Sequence, residues 1–315
     1  MAIIAHINGC LFKKYCFAAK KLFFVKQNAI FAALLAIKQT LASLPCSIKN
    51  NQNKTMYQTI LFEQFDGVAT ITLNRPDRYN AFTPEMLAEI HDALKKCAKD
   101  NAVRVIVITG AGKAFNSGQD LKNTQASIGT RNLGEAVEQH FNPLIKFMYN
   151  LPKPIICRLN GVAAGAGCSL ALACDMVIAS ENASLIEVFV NIGLVPDSGS
   201  SYFLPRVVGS KKAFELCTMG NKVSAQEALT LGMVNKVVPH NDLDAEVKRV
   251  ADYFAKAPTK AIGYIKKMLN KSMQTDLATM LQEEAYYQEL AGYSHDYKEG
   301  VAAFIEKRPA QFKGE

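Results

Sequence analysis

Past residue 56 the chain alternates between two hydrophobic rhythms, one of period two and one of period 3.6. "YQTILFEQ" and "GVATITLN" alternate apolar and polar positions and read as two strands, with Asp66-Gly67 between them as a hairpin turn. "TPEMLAEIHDALKKCAKD" repeats its apolar residues at helical spacing. Thr83 fits the N-cap, Pro84 the first helical position and Glu85 the first turn. "VRVIVIT" lacks polar alternation and predicts a buried strand, ending in the small-residue loop "GAGKAFNSGQDL". A helix is expected from about Asn132 to Asn150, then a strand in "KPIICRLN". A Gly/Ala-rich turn enters a helix in "GVAAGAGCSLALAC", and "DMVIAS" reads as a further strand. Beyond Pro205, apolar spacing of i, i+3, i+4 through "AFELCTMG", "SAQEALTLG", "LDAEVKRVADYFAKA" and "LATMLQEEAYYQEL" predicts almost continuous helix. This order of elements predicts an α/β fold, with residues 56–255 as its core and 256–315 as a C-terminal α-helical region.

Residues 1–55 do not share that pattern. They hold eight lysines and no Asp, Glu or Arg, and the net charge of the whole chain is +8. Residues 56–315 are therefore formally neutral, and the inference from basic charge to nucleic acid applies to the leader alone. The leader's longest uninterrupted apolar run, Ala29–Ile37, is too short to span a bilayer. A secretory signal fits poorly, for want of one compact apolar segment and a small-residue cleavage site. Three readings stay open: an extension upstream of a start at Met56, a targeting segment, or a basic arm. Each leaves residues 1–55 outside the fold.

Of eight cysteines, Cys10, Cys16 and Cys46 lie in the leader, while Cys97, Cys157, Cys168, Cys174 and Cys217 sit singly in apolar surroundings. No Cys/His ligand spacing occurs, so neither a metal site nor a disulfide framework is expected, and a reduced, cytoplasmic setting is. The phosphate turns GxGxxG and GxxxxGK[ST] are absent from their required contexts, which argues against dinucleotide and P-loop folds.

The candidate chemistry lies in three loops. "KAFNSGQDL" (Lys113–Leu121) and "NGVAAGAGCSL" (Asn160–Leu170) both follow a buried strand and consist largely of small residues. Such turns let a ligand approach the backbone, and two converging N–H groups would stabilise an oxyanion. The third loop, "NIGLVPDSGSSYFLP", contains Asp197, the only ionisable group between Glu187 and Arg206. Its carboxylate suits either a helix N-cap or a catalytic acid–base group.

Together, "NRPDRYNAF", "KAFNSGQDL", "NGVAAGAGCSLALACDMVIAS" and "GLVPDSGSSYFLPRVVG" resemble the enoyl-CoA hydratase/isomerase (crotonase) family, over essentially Met56 to Glu315. The resemblance implies a spiral of ββα turns and C-terminal helices that assemble as a homotrimer or hexamer. It implies an acyl-CoA thioester as substrate, with no cofactor beyond the coenzyme A that the substrate carries. The thioester carbonyl would be held by the N–H groups of Gln119 and Ala166, with Ser117, Gly118, Asp120 and Gly165 around them. Ser169 and Phe189 fall where hydratases of the family carry two water-handling glutamates, and both would line the substrate site. Asp197 matches a position where several family isomerases carry an acid. It is then the one carboxylate expected near the thioester, in a pocket made apolar by Phe189, Ile192, Leu194 and Val195. That pattern implies a double-bond isomerase.

"FNPLIKFMYNLPKPIICRLNGVAAGAG" and "LAGYSHDYKEGVAAFIEKRPAQF" are more similar to the branch that isomerises ring-epoxidised phenylacetyl-CoA to oxepin-CoA in phenylacetate degradation. The alternatives are a Δ3,Δ2-enoyl-CoA isomerase or an enoyl-CoA hydratase of fatty-acid oxidation. A non-enzymatic RNA-binding homologue would need a basic, aromatic-laced face, which the neutral 56–315 segment does not favour. Lys307, in "FIEKRP", matches a tail position that meets coenzyme A in the family; it also fits an ordinary exposed lysine. Neither nucleic acid nor membrane is an expected partner.

Overall fold

A computed structural model describes residues 57–121 and 132–315, so the readings of the leader and its three cysteines lie outside the described residues. Met56–Glu315 forms one compact unit. Asp66 and Gly67 both adopt positive φ (47° and 82°), the conformation that matches the twist of a two-residue hairpin. They set β1 (Ile60–Phe65) antiparallel to β2 (Val68–Leu73), with Phe65 opposite Val68. The next helix, α1 (Pro84–Lys99), starts as expected: Thr83 accepts the Met86 N–H at 3.2 Å, with Pro84 in the first turn. It buries Met86, Leu87, Ile90, Ala93, Leu94 and Cys97, one apolar stripe of helical period.

From β2 onward the chain visits two sheets in turn. β3 (Val105–Gly110), β5 (Ile155–Leu159), β7 (Met176–Ser180) and β10 (Lys236–Val238) extend β1 and β2 into a six-stranded sheet, parallel from β2 on. β4 (Ala114–Asn116), β6 (Val162–Ala164), β8 (Ser184–Ile186) and β9 (Lys222–Ser224) make a second, four-stranded sheet. The pairs β3–β4, β5–β6, β7–β8 and β9–β10 each give one strand to each sheet, and the helices close the turns of a spiral. The strand-rich core expected from the sequence is present, but the second sheet was not legible there. Its strands have three residues each, too few for a period to show. β9 and β10 likewise interrupt the stretch after Pro205 that was expected to be helical.

The helix expected over Asn132–Asn150 is present in three parts: α2 (Leu133–Ala136), a π-helical turn at Val137–Phe141, and α3 (Asn142–Asn150). The Asn132 side chain caps it by accepting the Glu135 N–H at 3.1 Å. α4 (Ala166–Leu172) is buried throughout, and α5 (Ser200–Val208), α6 (Ser210–Met219) and α7 (Ala225–Thr230) follow β8 and β9. α8 (Leu243–Lys256) lays Leu243, Val247, Val250 and Ala251 against Val105, Val107, Ile156 and Ile178 of the larger sheet. α9 (Thr259–Ser272), α10 (Leu277–Gly292) and α11 (His295–Glu306) form the C-terminal helical region. Lys266 of α9 ties that region to the core, donating to the Asp175 carboxylate at 2.8 Å and to Met148 O at 2.9 Å. Among the described residues, no helix is long and apolar enough to cross a membrane.

Three buried asparagines hold the crossings between the sheets. Asn80, at φ 57°, donates to Ala111 O and Ala114 O and accepts the Arg75 N–H, each at 2.9 Å. Asn116 donates to Asn80 O and accepts the Gly118 N–H at 2.7 Å. Asn160 accepts the Gly110 N–H at 3.2 Å and donates to Gly112 O and Ala114 O at 3.0 and 3.2 Å. These amides satisfy backbone groups that leave one sheet before reaching the other. Asn160→Ala removes the partner of the Gly110 N–H and of Gly112 O, while Ala114 O keeps its bond from Asn80. It should lower the unfolding free energy by about 1–3 kcal/mol, read as a lower urea midpoint with unchanged slope.

Candidate active site

The candidate site lies at the C-terminal ends of three neighbouring parallel strands. β4 pairs with β6, which pairs with β8, so that Asn116 stands beside Ala163 and Ala164 beside Ile186. The segments that leave these strands are therefore side by side, whatever their separation in sequence.

The first carries Ser117, Gly118, Gln119 and Asp120. Gly118 needs its φ of +90°, and its carbonyl accepts the Phe82 N–H while Phe82 O accepts the Asp120 N–H, at 2.8 and 3.0 Å. This is a parallel bridge between Phe82 and Gln119 made by the groups flanking Gln119. The Gln119 N–H is left pointing the other way, with no acceptor among the described residues. Asp120 is buried, and its carboxylate pairs with Arg75 at 2.8 Å, which also donates to Ala81 O. It braces the turn through that ion pair. Ser117 is exposed, with its N–H on Tyr79 O at 3.1 Å.

The second segment begins α4. The Gly165 N–H bonds to Ile186 O at 2.9 Å, which fixes the turn against β8. Ala166 is the first helical residue, so its N–H has no partner within the helix. The two turns nearly touch: a Cβ built on Gly118 would lie 3.0 Å from Ala164 O and 3.7 Å from the Ala166 nitrogen. One step further, a Cβ on Gly167 would lie 2.6 Å from Asn116 Oδ1, closer than real contacts allow. Gln119 and Ala166, paired by the sequence reading, thus sit on adjacent turns with their N–H groups uncommitted among the described residues.

Asp197 is half-buried. Its backbone carbonyl accepts the Ser200 N–H at 3.0 Å and the Ser169 hydroxyl at 3.1 Å, and its carboxylate accepts the Ser198 hydroxyl at 2.8 Å. The alternative reading of Asp197 as a helix N-cap does not match: Gly199 caps α5, and no side chain bonds to that helix end. Burial pushes the Asp197 carboxyl above the ordinary aspartate range, opposed by the Ser198 hydroxyl. Ser169, fully buried, faces Gly165 O at 3.3 Å as well, and so ties α4 to the loop that carries Asp197.

Phe189 is buried and packs behind Gly165, its ring within 3.8 Å of where a Cβ on that glycine would stand. Ile192, Leu194 and Val195, expected to wall the pocket, are instead exposed in the single chain, at 54%, 39% and 79%. The 3-10 helix Val188–Ile192 ends at Gly193 in the left-handed conformation, which redirects Leu194 and Val195; Ile192 is the last residue of that helix. Lys307 is exposed at the C-cap of α11, with φ 55°. No contact among the described residues brings it to the Gly118–Ala166 junction.

One acidic group was missed. Asp197 was expected to be the lone carboxylate, yet Glu187, the residue directly after β8, is 2% exposed and lies close enough for the charge of Asp197 to act on it. The signal was an acid set within the otherwise apolar run "LIEVFV".

A family model described as enoyl-CoA hydratase/isomerase matches residues 63–315. The chain is 43% identical over 261 residues to the 1,2-epoxyphenylacetyl-CoA isomerase of Escherichia coli (strain K12), covering 82% of this chain and 100% of the relative. It is 37% identical to the crotonyl-CoA hydratase of Syntrophomonas wolfei, covering 81% and 98%. The crystal structure of an enoyl-CoA hydratase from Bacillus anthracis superposes with a TM-score of 0.77 at 35% identity, covering 82% of this chain and 100% of that one. The chain belongs to the enoyl-CoA hydratase/isomerase family and has its crotonase fold. Isomerases and hydratases both occur among its relatives.

The raised Asp197 pKa carries a sign that can be tested. At low pH the carboxyl is protonated in both folded and unfolded chains and contributes no difference. As pH rises, the unfolded chain ionises first and the folded state loses stability until its own carboxyl has ionised. Asp197→Asn removes this loss. Its melting temperature should match the wild type in acid and exceed it at neutral pH, as scanning calorimetry would record.

Proposed function

We propose that the protein isomerises an unsaturated acyl-CoA, with Asp197 as its proton shuttle. One observation carries the reading: Asp197, a half-buried acid, sits on a loop bonded to Ser169, in the same short helix that Ala166 opens beside Gly118, while Ser169 and Phe189 stand where the resemblance puts the glutamates of hydratases. In the mechanism, the thioester oxygen accepts the N–H groups of Gln119 and Ala166. The Asp197 carboxylate removes the Cα proton, and the electron pair moves onto the thioester oxygen as an enolate. The same proton returns at Cγ as the enolate collapses, so the double bond shifts and the enzyme is regenerated. No cofactor is consumed. Two preorganised donors lower such a barrier by about 3 kcal/mol each. An aspartate raised toward neutrality serves as both base and acid better than an ordinary one.

We assign ring-epoxidised phenylacetyl-CoA as the substrate, the α-deprotonation leading to an oxepin-CoA. The 43% identity to the Escherichia coli isomerase supports this. Hydration of an enoyl-CoA is the second reading. It is favoured by the hydratase relatives and by Glu187, which supplies a second carboxylate. The exposed apolar side chains of Leu277, Leu281, Tyr286, Phe304 and Ile305 support self-association through α10 and α11, as a trimer or hexamer. Lys307 would then meet coenzyme A across a subunit boundary. A reduced, cytoplasmic setting accords with the buried free thiols of Cys97, Cys157, Cys168 and Cys174.

Assays of the full chain with epoxyphenylacetyl-CoA, cis-3-enoyl-CoA and crotonyl-CoA separate these readings. Isomerisation should proceed in the wild type and fall about 10²–10⁴-fold in Asp197→Asn, with KM little changed. Crotonyl-CoA should not be hydrated at a comparable rate. Family-like hydration, or a fully active Asp197→Asn, would refute the mechanism. Gly118→Ala should also reduce kcat strongly while the chain still folds, because its φ of +90° strains any other residue beside the Ala164 carbonyl. Circular dichroism of that variant would verify the fold.

A further inference from the structure

The Glu187 carboxyl has no task in the shuttle described above, yet its setting is built. Oε1 accepts the Ser200 hydroxyl at 2.7 Å, while Oε2 is buried and without a partner among the described residues. The ionisable groups that face it are the Cys168 thiol from α4, the Cys217 thiol from α6, and Asp197 from the loop before α5. None of these is a cation. An ionised carboxylate here would be out of water with the Ser200 hydroxyl and at most a weakly donating Cys168 thiol to hold it, and another carboxylate as its charged neighbour. Such a group neutralises instead of paying several kcal/mol of desolvation.

We propose that Glu187 is carried as the neutral acid and serves as a positioning residue for Asp197. The link is Ser200. Its hydroxyl is anchored on Glu187, and its N–H holds the Asp197 carbonyl at 3.0 Å. The neutral partner also leaves Asp197 as the single charge of the pair, since two ionised carboxylates this close oppose each other. Burial raises the Glu187 pKa and the Asp197 charge acts in the same direction, against the Ser200 and Cys168 side chains. This inference rests on the reading of Asp197 as the shuttle.

Two measurements on the full chain test it. Infrared spectroscopy near neutral pH should show a protonated-carboxyl band in the wild type that Glu187→Gln lacks. Absence of such a difference overturns the neutral acid, whatever the enzyme catalyses. In the kinetics, Glu187→Ala should lower kcat about tenfold with KM unchanged, the equivalent of one lost hydrogen bond. Glu187→Gln should recover most of that loss, because the amide is also neutral and still accepts from Ser200. Ser200→Ala should reproduce the loss with the carboxyl in place. The acidic limb of the kcat/KM profile should stay at the wild-type pH in Glu187→Gln. A limb moved to lower pH would mean that Glu187 had carried charge beside Asp197, and the proposal would fall. A wild type without isomerase activity would overturn the shuttle alone, and the infrared band would still decide the protonation of Glu187.

Discussion

The site depends on the parallel register of three very short strands, β4, β6 and β8. Because neighbouring strands run in the same direction, the segments that leave them emerge together, and Gly118, Gly165 and Glu187 become neighbours across sixty-nine positions of sequence. Three residues per strand give little hydrogen bonding of their own. The register is held instead by the larger sheet below and by the asparagine side chains between the two. Close approach then follows: the backbones at Gly118 and at Ala164–Ala166 come within a distance that admits no side chain at Gly118 without strain. The donors at Gln119 and Ala166 are a by-product of that packing. Among the described residues the Gln119 N–H is uncommitted because the groups flanking it bond to Phe82, and the Ala166 N–H because it opens a helix.

Around these donors the protein has placed two carboxyl groups, Asp197 and Glu187, with no paired cation among the described residues. Asp197 and Glu187 are both held above their ordinary pKa ranges, mainly by burial. Asp120 differs in being neutralised by Arg75, and it supports the turn through that pair. The contrast separates two uses of an acid within one site. A carboxylate bonded to a guanidinium is fixed in charge and serves as a strut, whereas one surrounded by thiols, hydroxyls and apolar atoms can change its proton. Folding stability is spent on the second kind.

Much of this was legible in the sequence. The Asp66-Gly67 hairpin, the Thr83 cap and the helix entered at Ala166 rest on local rules, and the structure agrees with them. The family could be seen because its motifs are the turns themselves, where small residues are required by contact. Other features depend on partners remote in sequence. The strands β4, β6, β8 and β9 are too short to carry a period. The turn that redirects Leu194 and Val195 follows from the left-handed Gly193, which apolar character alone does not predict. Glu187 was passed over because its meaning comes from Ser200 and Asp197, and those contacts exist only after β8 and α5 have docked.

Ser169 couples two of the loops mechanically. Its hydroxyl lies against the carbonyls of Asp197 and Gly165, so it belongs to the mounting of the Asp197 loop. A longer side chain at that fully buried position would lose this contact and release the loop that carries Asp197. What fills position 169 thus decides how firmly the acid on the neighbouring loop is held, so the two positions are free to change only together.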